Sequence, residues 1–292
     1  MPPTTKLTTA QTTQSVPIRL RDDYQQLKIV LVGCGGNGSH MAEAIARVGS
    51  LLTQQGQKVD LLFIDPDYVE KDNIPRQNFS EAEIGLNKAQ TLALRYSAKW
   101  GVTIKAIPAS FERNMLHYYS ELTILLGCVD NPAGRAALAQ CLEQNNQERS
   151  PRVWWLDLGN GLDTGQVVLG SANQVERLKT AFYLSSVCTI TPSAACIHPE
   201  LVTEQSSQLK TKTVGEQSCA QLAMTNAQMP AVNQMTAAIG AAMLTKLLVT
   251  CDLKYWASYF DLSTGKQVSY ATSPAAIEDA LVNVKSTGKL SE

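Results

Sequence analysis

The chain has 292 residues and a formal net charge of −1, from 25 basic and 26 acidic side chains. It is long enough for a full core and lacks the basic footprint of a nucleic-acid binder. No run of 18 uninterrupted apolar residues occurs, and the first twenty residues lack the apolar centre of a signal peptide, so a cytoplasmic protein without a membrane span is expected. Seven cysteines, an odd number in a long chain, suit reduced thiols better than a disulfide framework.

Residues 1–26 are rich in Thr, Gln and Pro and read as a flexible tail. The body is expected over 27–270, with a nucleotide-binding half at 27–150. In residues 28–40, KIVLVGCGGNGSH, an Ile- and Val-rich strand meets a glycine turn and then a helix. Gly33, Gly35 and Gly38 fit G-x-G-x-x-G, with Gly36 beside them. Glycines let a ligand approach the backbone, and the free N–H groups of a helix start attract phosphate. This turn alone does not choose between dehydrogenases, flavoproteins, methyltransferases and ATP users. KVDLLFIDPD is a second strand ending in Asp65 and Asp67, followed by a helix over LNKAQTLALRYSAKWG and a short strand in VTIKAIPAS. ELTILLGCVDN ends in Asp130 and Asn131, and Pro132 opens the next helix. Strands alternating with helices predict a Rossmann-like, doubly wound α/β sheet, parallel in this half.

From residue 151 the pattern changes. RVWWLDLGNGLDTGQVVLG reads as two antiparallel strands around a Gly-rich turn, so the sheet becomes mixed in a substrate and dimer half, 151–270. Residues 171–218 are irregular, a length that in a compact domain is usually functional or mobile. MPAVNQMTAAIGAAMLTKLLVT reads as a helix buried on several sides, against other helices or a second subunit. WASYFDLSTGKQVSYA reads as a closing hairpin, and 271–292 as a loose C-terminal tail.

The chemistry lies in the segment just after Asp65. A dehydrogenase needs a glycine turn and an acid for the ribose, but no cationic cluster directly afterwards. This chain has Asn73, Arg76, Gln77 and Lys88 there. Arg76 and Lys88 are what a site needs to hold a triphosphate and neutralise charge as pyrophosphate leaves. Asp130 suits the magnesium that bridges such phosphates, since Mg²⁺ prefers one or two carboxylates plus phosphate oxygens. Together they indicate ATP used as an adenylate donor.

These residues resemble the superfamily of ubiquitin-activating enzymes and their bacterial relatives ThiF and MoeB. The shared pattern is G-x-G-G-x-G at 33–38, D-x-D at Asp65 and Asp67, N-x-x-R-Q-x-F at 73–79, G-x-x-K at 85–88 and D-N at Asp130 and Asn131. Five motifs in order are far more specific than a lone glycine turn. The later helix region also resembles ThiF-type proteins, including those named for the PRTRC system. The resemblance implies ATP-dependent adenylation of a carboxylate, usually the C-terminal glycine of a ubiquitin-like or sulfur-carrier-like protein, in a homodimer. It implies that Asp65 binds the ribose, that Asn73, Arg76 and Lys88 bind the phosphates, and that Asp130 binds the metal. The carboxylate is already ionised at neutral pH, so attack on phosphorus needs alignment and charge screening but no general base.

Two family features depart. ThiF and MoeB carry paired C-x-x-C motifs for a structural zinc, and this chain has none, so no structural zinc is expected. A mixed site from Cys188, Cys196, His198 and Cys219 has a spacing that matches no known pattern. For thiol capture after adenylation, Cys219 at a helix start is the candidate acceptor, against the plainer role of a small buried residue. Some relatives also take an arginine from the partner's N-terminal region, for which Arg19 and Arg21 are the candidates. Plainer roles also exist for Asp65 and Asp130 as caps of a turn and of the helix at Pro132, and for Cys34 and Cys128 as packing. The alternative functions are a nucleotide-binding scaffold or sensor without turnover and, less favoured, a nicotinamide-dependent oxidoreductase.

Overall fold

A computed structural model describes residues 15–116, 121–203 and 230–287. The first strand, β1 (Gln26–Val32), is buried from its second residue onward. Its neighbours are β2 (Val59–Ile64) and β4 (Glu121–Gly127), both parallel to it. A strand covered on both faces has no reason to alternate polar with apolar residues, which is why these segments read as continuous hydrophobic runs. Lys28 is the exception within β1, and its Nζ lies 2.9 Å from Glu121 Oε2 on β4.

β3 (Ile104–Ile107) pairs with β2, and β5 (Val153–Asn160) pairs with β4, both in parallel. β6 (Thr164–Gly170), β7 (Tyr255–Asp261) and β8 (Lys266–Ala271) then add antiparallel. The order is β3-β2-β1-β4-β5-β6-β7-β8. The expected mixed sheet, parallel first and antiparallel later, is therefore present. Adjacent Trp154 and Trp155 on β5 point to opposite faces and are both fully buried, so helices cover the sheet on each side there.

α1 (Gly36–Gln54) and α2 (Lys88–Trp100) cover one face, joined there by α6 (Pro230–Leu248). α3 (Pro132–Cys141) lies on the other. Between β6 and α6 the described chain forms only two short helices, α4 (Val175–Leu178) and α5 (Ala194–Ile197), and a 3₁₀ turn at Pro199–Val202. α7 (Pro274–Thr287) follows β8.

Both expected tails are shorter than their composition suggested. Val16 N donates to Thr272 O at 3.1 Å, Ile18 N to Leu253 O at 2.8 Å and Arg19 N to Cys188 O at 2.8 Å, strapping residues 16–19 across the second half. The Val16-Pro17-Ile18 stretch supplies an anchor, the buried Ile18, that averaging over a polar segment conceals. At the other end, 274–287 is helical and buries Ile277. Among the described residues no helix is long and apolar enough to cross a membrane.

Candidate active site

β1 and β4 lie side by side, but the chain leaves β1 into α1 on one face and leaves β4 toward α3 on the other. Such a reversal opens a crevice at the carboxyl ends of the strands. A cleft of about 1120 Å³ lies there, and Gly33, Gly35, Gly36, Asp65, Asp67, Arg76, Gln77, Lys88 and Asp130 line it. The glycine turn is built for close approach. Gly33 has φ +87°, and a Cβ there would sit 2.6 Å from Cys128 O. A Cβ at Gly38 would overlap the Gly33 carbonyl, so Gly38 packs the turn against the helix and does not line the cleft. α1 starts with no side-chain cap, leaving its first N–H groups to whatever occupies the cleft.

Asp65 follows the end of β2 and is 5% exposed. Its Oδ2 accepts from Cys34 N at 2.5 Å and its Oδ1 from Asp67 N at 2.7 Å, so one carboxylate clamps the glycine turn to its own loop. Burial raises its pKa, against the lowering effect of those two N–H donors. Asn87 reinforces the same loop. Its Nδ2 donates to the carbonyls of Asp65 and Asp67 at 3.0 and 2.9 Å, while its Oδ1 caps α2 by accepting from Gln90 N. Lys88, the first residue of α2, places Nζ 3.2 Å from Asp67 Oδ2.

The loop carrying Arg76 is held through its backbone. Arg76 N and Gln77 N both donate to Asn73 O, at 3.1 and 2.9 Å. Asn73 Oδ1 accepts from Glu70 N at 3.1 Å. Asn73 is thus buried behind the wall and does not line the cleft, a place that suits scaffolding of Arg76 better than the phosphate contact its motif position implied. The Arg76 guanidinium makes no ion pair among the described residues. Gln77 Oε1 is buried without a partner and belongs to the cleft lining.

Asp130 lies three residues past β4 and is exposed in the cleft. Asn131, not Asp130, caps α3, its Oδ1 accepting from Gly134 N at 2.7 Å. The helix-cap explanation for Asp130 is removed, and its exposed carboxylate, whose Oδ1 lies 3.5 Å from Asn131 Nδ2, has the donor chemistry of a magnesium ligand completed by phosphate oxygens. Among the described residues no group of three or more His, Cys, Asp or Glu side chains gathers to hold a metal.

Sequence reading missed the second half of the cleft. Arg135 Nε sits 3.2 Å from Oδ1 of Asp157, a fully buried residue of β5, and Gln166 Nε2 on β6 donates to Asp157 Oδ2 at 3.1 Å. Tyr259 on β7 follows in register beside Gln166, its hydroxyl 2.9 Å from His198 Nε2 and its pKa raised by burial. The available signal was Arg135 alone, a cation in an otherwise small and apolar helix.

The thiols divide by location. Burial raises Cys34 and Cys128 well above the ordinary thiol range, as packing residues require. Cys188 and Cys196 are pushed up to about 12 and about 11, and neither lines the cleft. Cys219 lies outside the described residues. Of the N-terminal arginines, Arg21 is spent on Asp23 at 2.6 Å, while Arg19 is exposed.

The strand order, the reversal between β1 and β4 and the glycine turn place the chain in the Rossmann-like class of α/β proteins. A model of the ThiF family matches residues 9–276, and the chain belongs to that family. Among curated proteins nothing matches it. Solved structures of similar fold include Escherichia coli MccB with ATP, at 20% identity and TM-score 0.57, covering 87% of this chain and 66% of that one. MccB with AMPCPP and selenomethionine-labelled MccA gives 20% identity and TM-score 0.56, covering 85% and 64%. Selenomethionine-labelled PaaA gives 16% identity and TM-score 0.52, covering 86% and 65%. The chain thus spans slightly less than two thirds of the length of these proteins.

Proposed function

We propose that the chain adenylates a carboxylate with ATP, the substrate being the C-terminus of a ubiquitin-like or sulfur-carrier-like protein. The observation that carries this is the presence on one cleft of a buried Lys88 and an Arg76 that makes no ion pair among the described residues, beside the uncapped start of α1. The carboxylate oxygen attacks the α-phosphorus, the bond from that phosphorus to its bridging oxygen breaks, and pyrophosphate leaves with the bonding electrons. Arg76 and Lys88 hold the departing charge, Asp65 the ribose, and Asp130 a magnesium that supplies charge neutralisation on the phosphates when bound. Because the carboxylate arrives ionised, nothing in the cleft has to remove a proton.

The test is exchange of labelled pyrophosphate into ATP in the presence of small proteins with a free C-terminal Gly-Gly. Exchange that depends on such a protein supports the proposal; ATP binding with no exchange for any of them favours a nucleotide-binding scaffold. A homodimer belongs to the same proposal, motivated by the small residues on the outer side of α6, where Ala231, Ala238 and Ala242 are exposed. Light scattering that finds only a 31.7 kDa species would exclude it.

A further inference from the structure

Three buried or half-buried amides form a continuous chain beneath the glycine turn. Asn37 Nδ2 donates to Leu158 O at 2.8 Å and to Asn160 Oδ1 at 3.3 Å. Asn160 Nδ2 donates to Asn233 Oδ1 at 2.6 Å, and Asn233 Nδ2 donates to the Arg76 carbonyl at 3.0 Å. Both ends of the chain are backbone carbonyls, which only accept. The orientation of every amide between them is thereby set, because flipping any one would put oxygen against oxygen. The chain therefore has a direction, and it ends on Arg76, whose guanidinium reaches the cleft.

Asn233 is an unusual residue for its place. It is fully buried in α6 among Val232, Thr236 and Ala237, where an apolar side chain would fill the volume without a polar group to satisfy. It reaches the loop because Gly36 has no side chain; a Cβ there would stand 2.8 Å from Asn233 Oδ1. At its other end, Arg76 is held through its backbone: its N–H by Asn73 and its carbonyl by Asn233. Three arginines elsewhere in the fold have committed head groups: Arg95 is paired with Glu83, Arg135 with Asp157 and Arg21 with Asp23. Arg76 has the opposite arrangement, a fixed backbone with a cation in the cleft that makes no ion pair among the described residues. Fixing the backbone reduces what must be ordered when phosphate arrives.

We propose that Asn233 is a positioning residue for Arg76, the last link of an amide chain that ties the glycine turn and the end of β5 to the cation facing the ATP phosphates. This rests on the proposed function only in taking Arg76 as a pyrophosphate contact.

The test is a double-mutant cycle read by calorimetric binding of Mg-ATP, with AMP, which lacks the pyrophosphate moiety, as reference. Asn233→Ala is expected to weaken ATP binding about 5- to 10-fold, the scale of one hydrogen bond, with AMP binding unchanged. In an Arg76→Ala background it should weaken ATP no further. Asn233→Asp, which keeps the acceptor for Asn160 but places an oxygen against the Arg76 carbonyl, should give the same selective loss. Either variant is read at a temperature where its unfolding curve shows it folded. An equal loss of ATP and AMP affinity, or a loss that persists in full without Arg76, overturns the inference and leaves the proposed function standing. Wild-type protein that binds no ATP, or binds it independently of Arg76, overturns both.

Discussion

Lys88 Nζ lies 3.2 Å from Asp67 Oδ2, yet the lysine side chain is 8% exposed and the aspartate 66%. The cation is thus fixed in the wall while its partner stands in solvent. Lys88 is also the first residue of α2, where the helix dipole disfavours positive charge. Neither circumstance benefits the fold, so Lys88→Met should leave the denaturant midpoint unchanged or slightly raised. Pyrophosphate exchange by the same preparation should fall by about 10²-fold or more, the usual cost of one preorganised donor. A variant that unfolds early, or that retains exchange, would remove Lys88 from the phosphate site.

Asp130→Asn separates metal binding from helix capping. Asn131 already accepts the Gly134 N–H, so the variant should melt like the wild type. If Asp130 holds the magnesium, as proposed, the affinity of the variant for ATP should lose most of its dependence on magnesium, because a hard cation prefers a charged oxygen ligand. Titration of ATP binding with Mg²⁺ checks this, and an unchanged dependence would relocate the metal.

Two glycines of the turn should respond differently to one added methyl group. At Gly38 the new Cβ overlaps the Gly33 carbonyl, and Gly38→Ala should destabilise by about 1–3 kcal/mol or more, as overpacking does. At Gly35 the nearest atom is Gln77 Nε2 at 3.7 Å, and the methyl group projects into the cleft. Gly35→Ala should fold normally and bind ATP weakly. Paired unfolding and ATP-binding curves distinguish the two cases, and equal loss of stability in both variants would contradict the assignment.

Burial lowers the pKa of His40 despite its hydrogen bond to the Arg76 backbone. The native state therefore refuses a proton that the unfolded chain takes up near pH 6.5. The contribution of neutral His40 is present above that value and is lost as pH falls through it toward the lower folded value. Urea midpoints should drop between pH 7.5 and pH 5.5, and His40→Gln should flatten that drop. An equal drop in the variant would place the titrating group elsewhere.

The patterns legible in the sequence were local ones. Gly33 to Gly38 read as a phosphate turn because turn chemistry lies in consecutive residues, and Asp65, Arg76 and Lys88 fall within one loop and its flanks. Asn160 and Asn233 did not stand out because each meets its partners across 73 or more residues and looks, in its own segment, like a stray polar side chain. Asp157 and Gln166 were hidden for a different reason: they are near neighbours in sequence, but their contact is fixed by strand pairing that no short motif records. Asn73 shows the converse limit: its motif position was recognised, but its side chain faces the loop it braces.

The reversal of strand direction after β5 also divides the molecule by what it tolerates. The glycine turn depends on β1, β2 and β4, all interior strands with neighbours on both sides. The outer wall of the cleft, by contrast, is carried by the hairpin of β7 and β8, the last strands of the sheet among the described residues, with Asp261, Lys266 and Val268 lining it. Lengthening or recolouring the turn at 262–265 disturbs no ladder that supports the turn glycines. One half of this architecture is thus held fixed by its own packing, while the other can change, residue by residue, without the first having to be rebuilt.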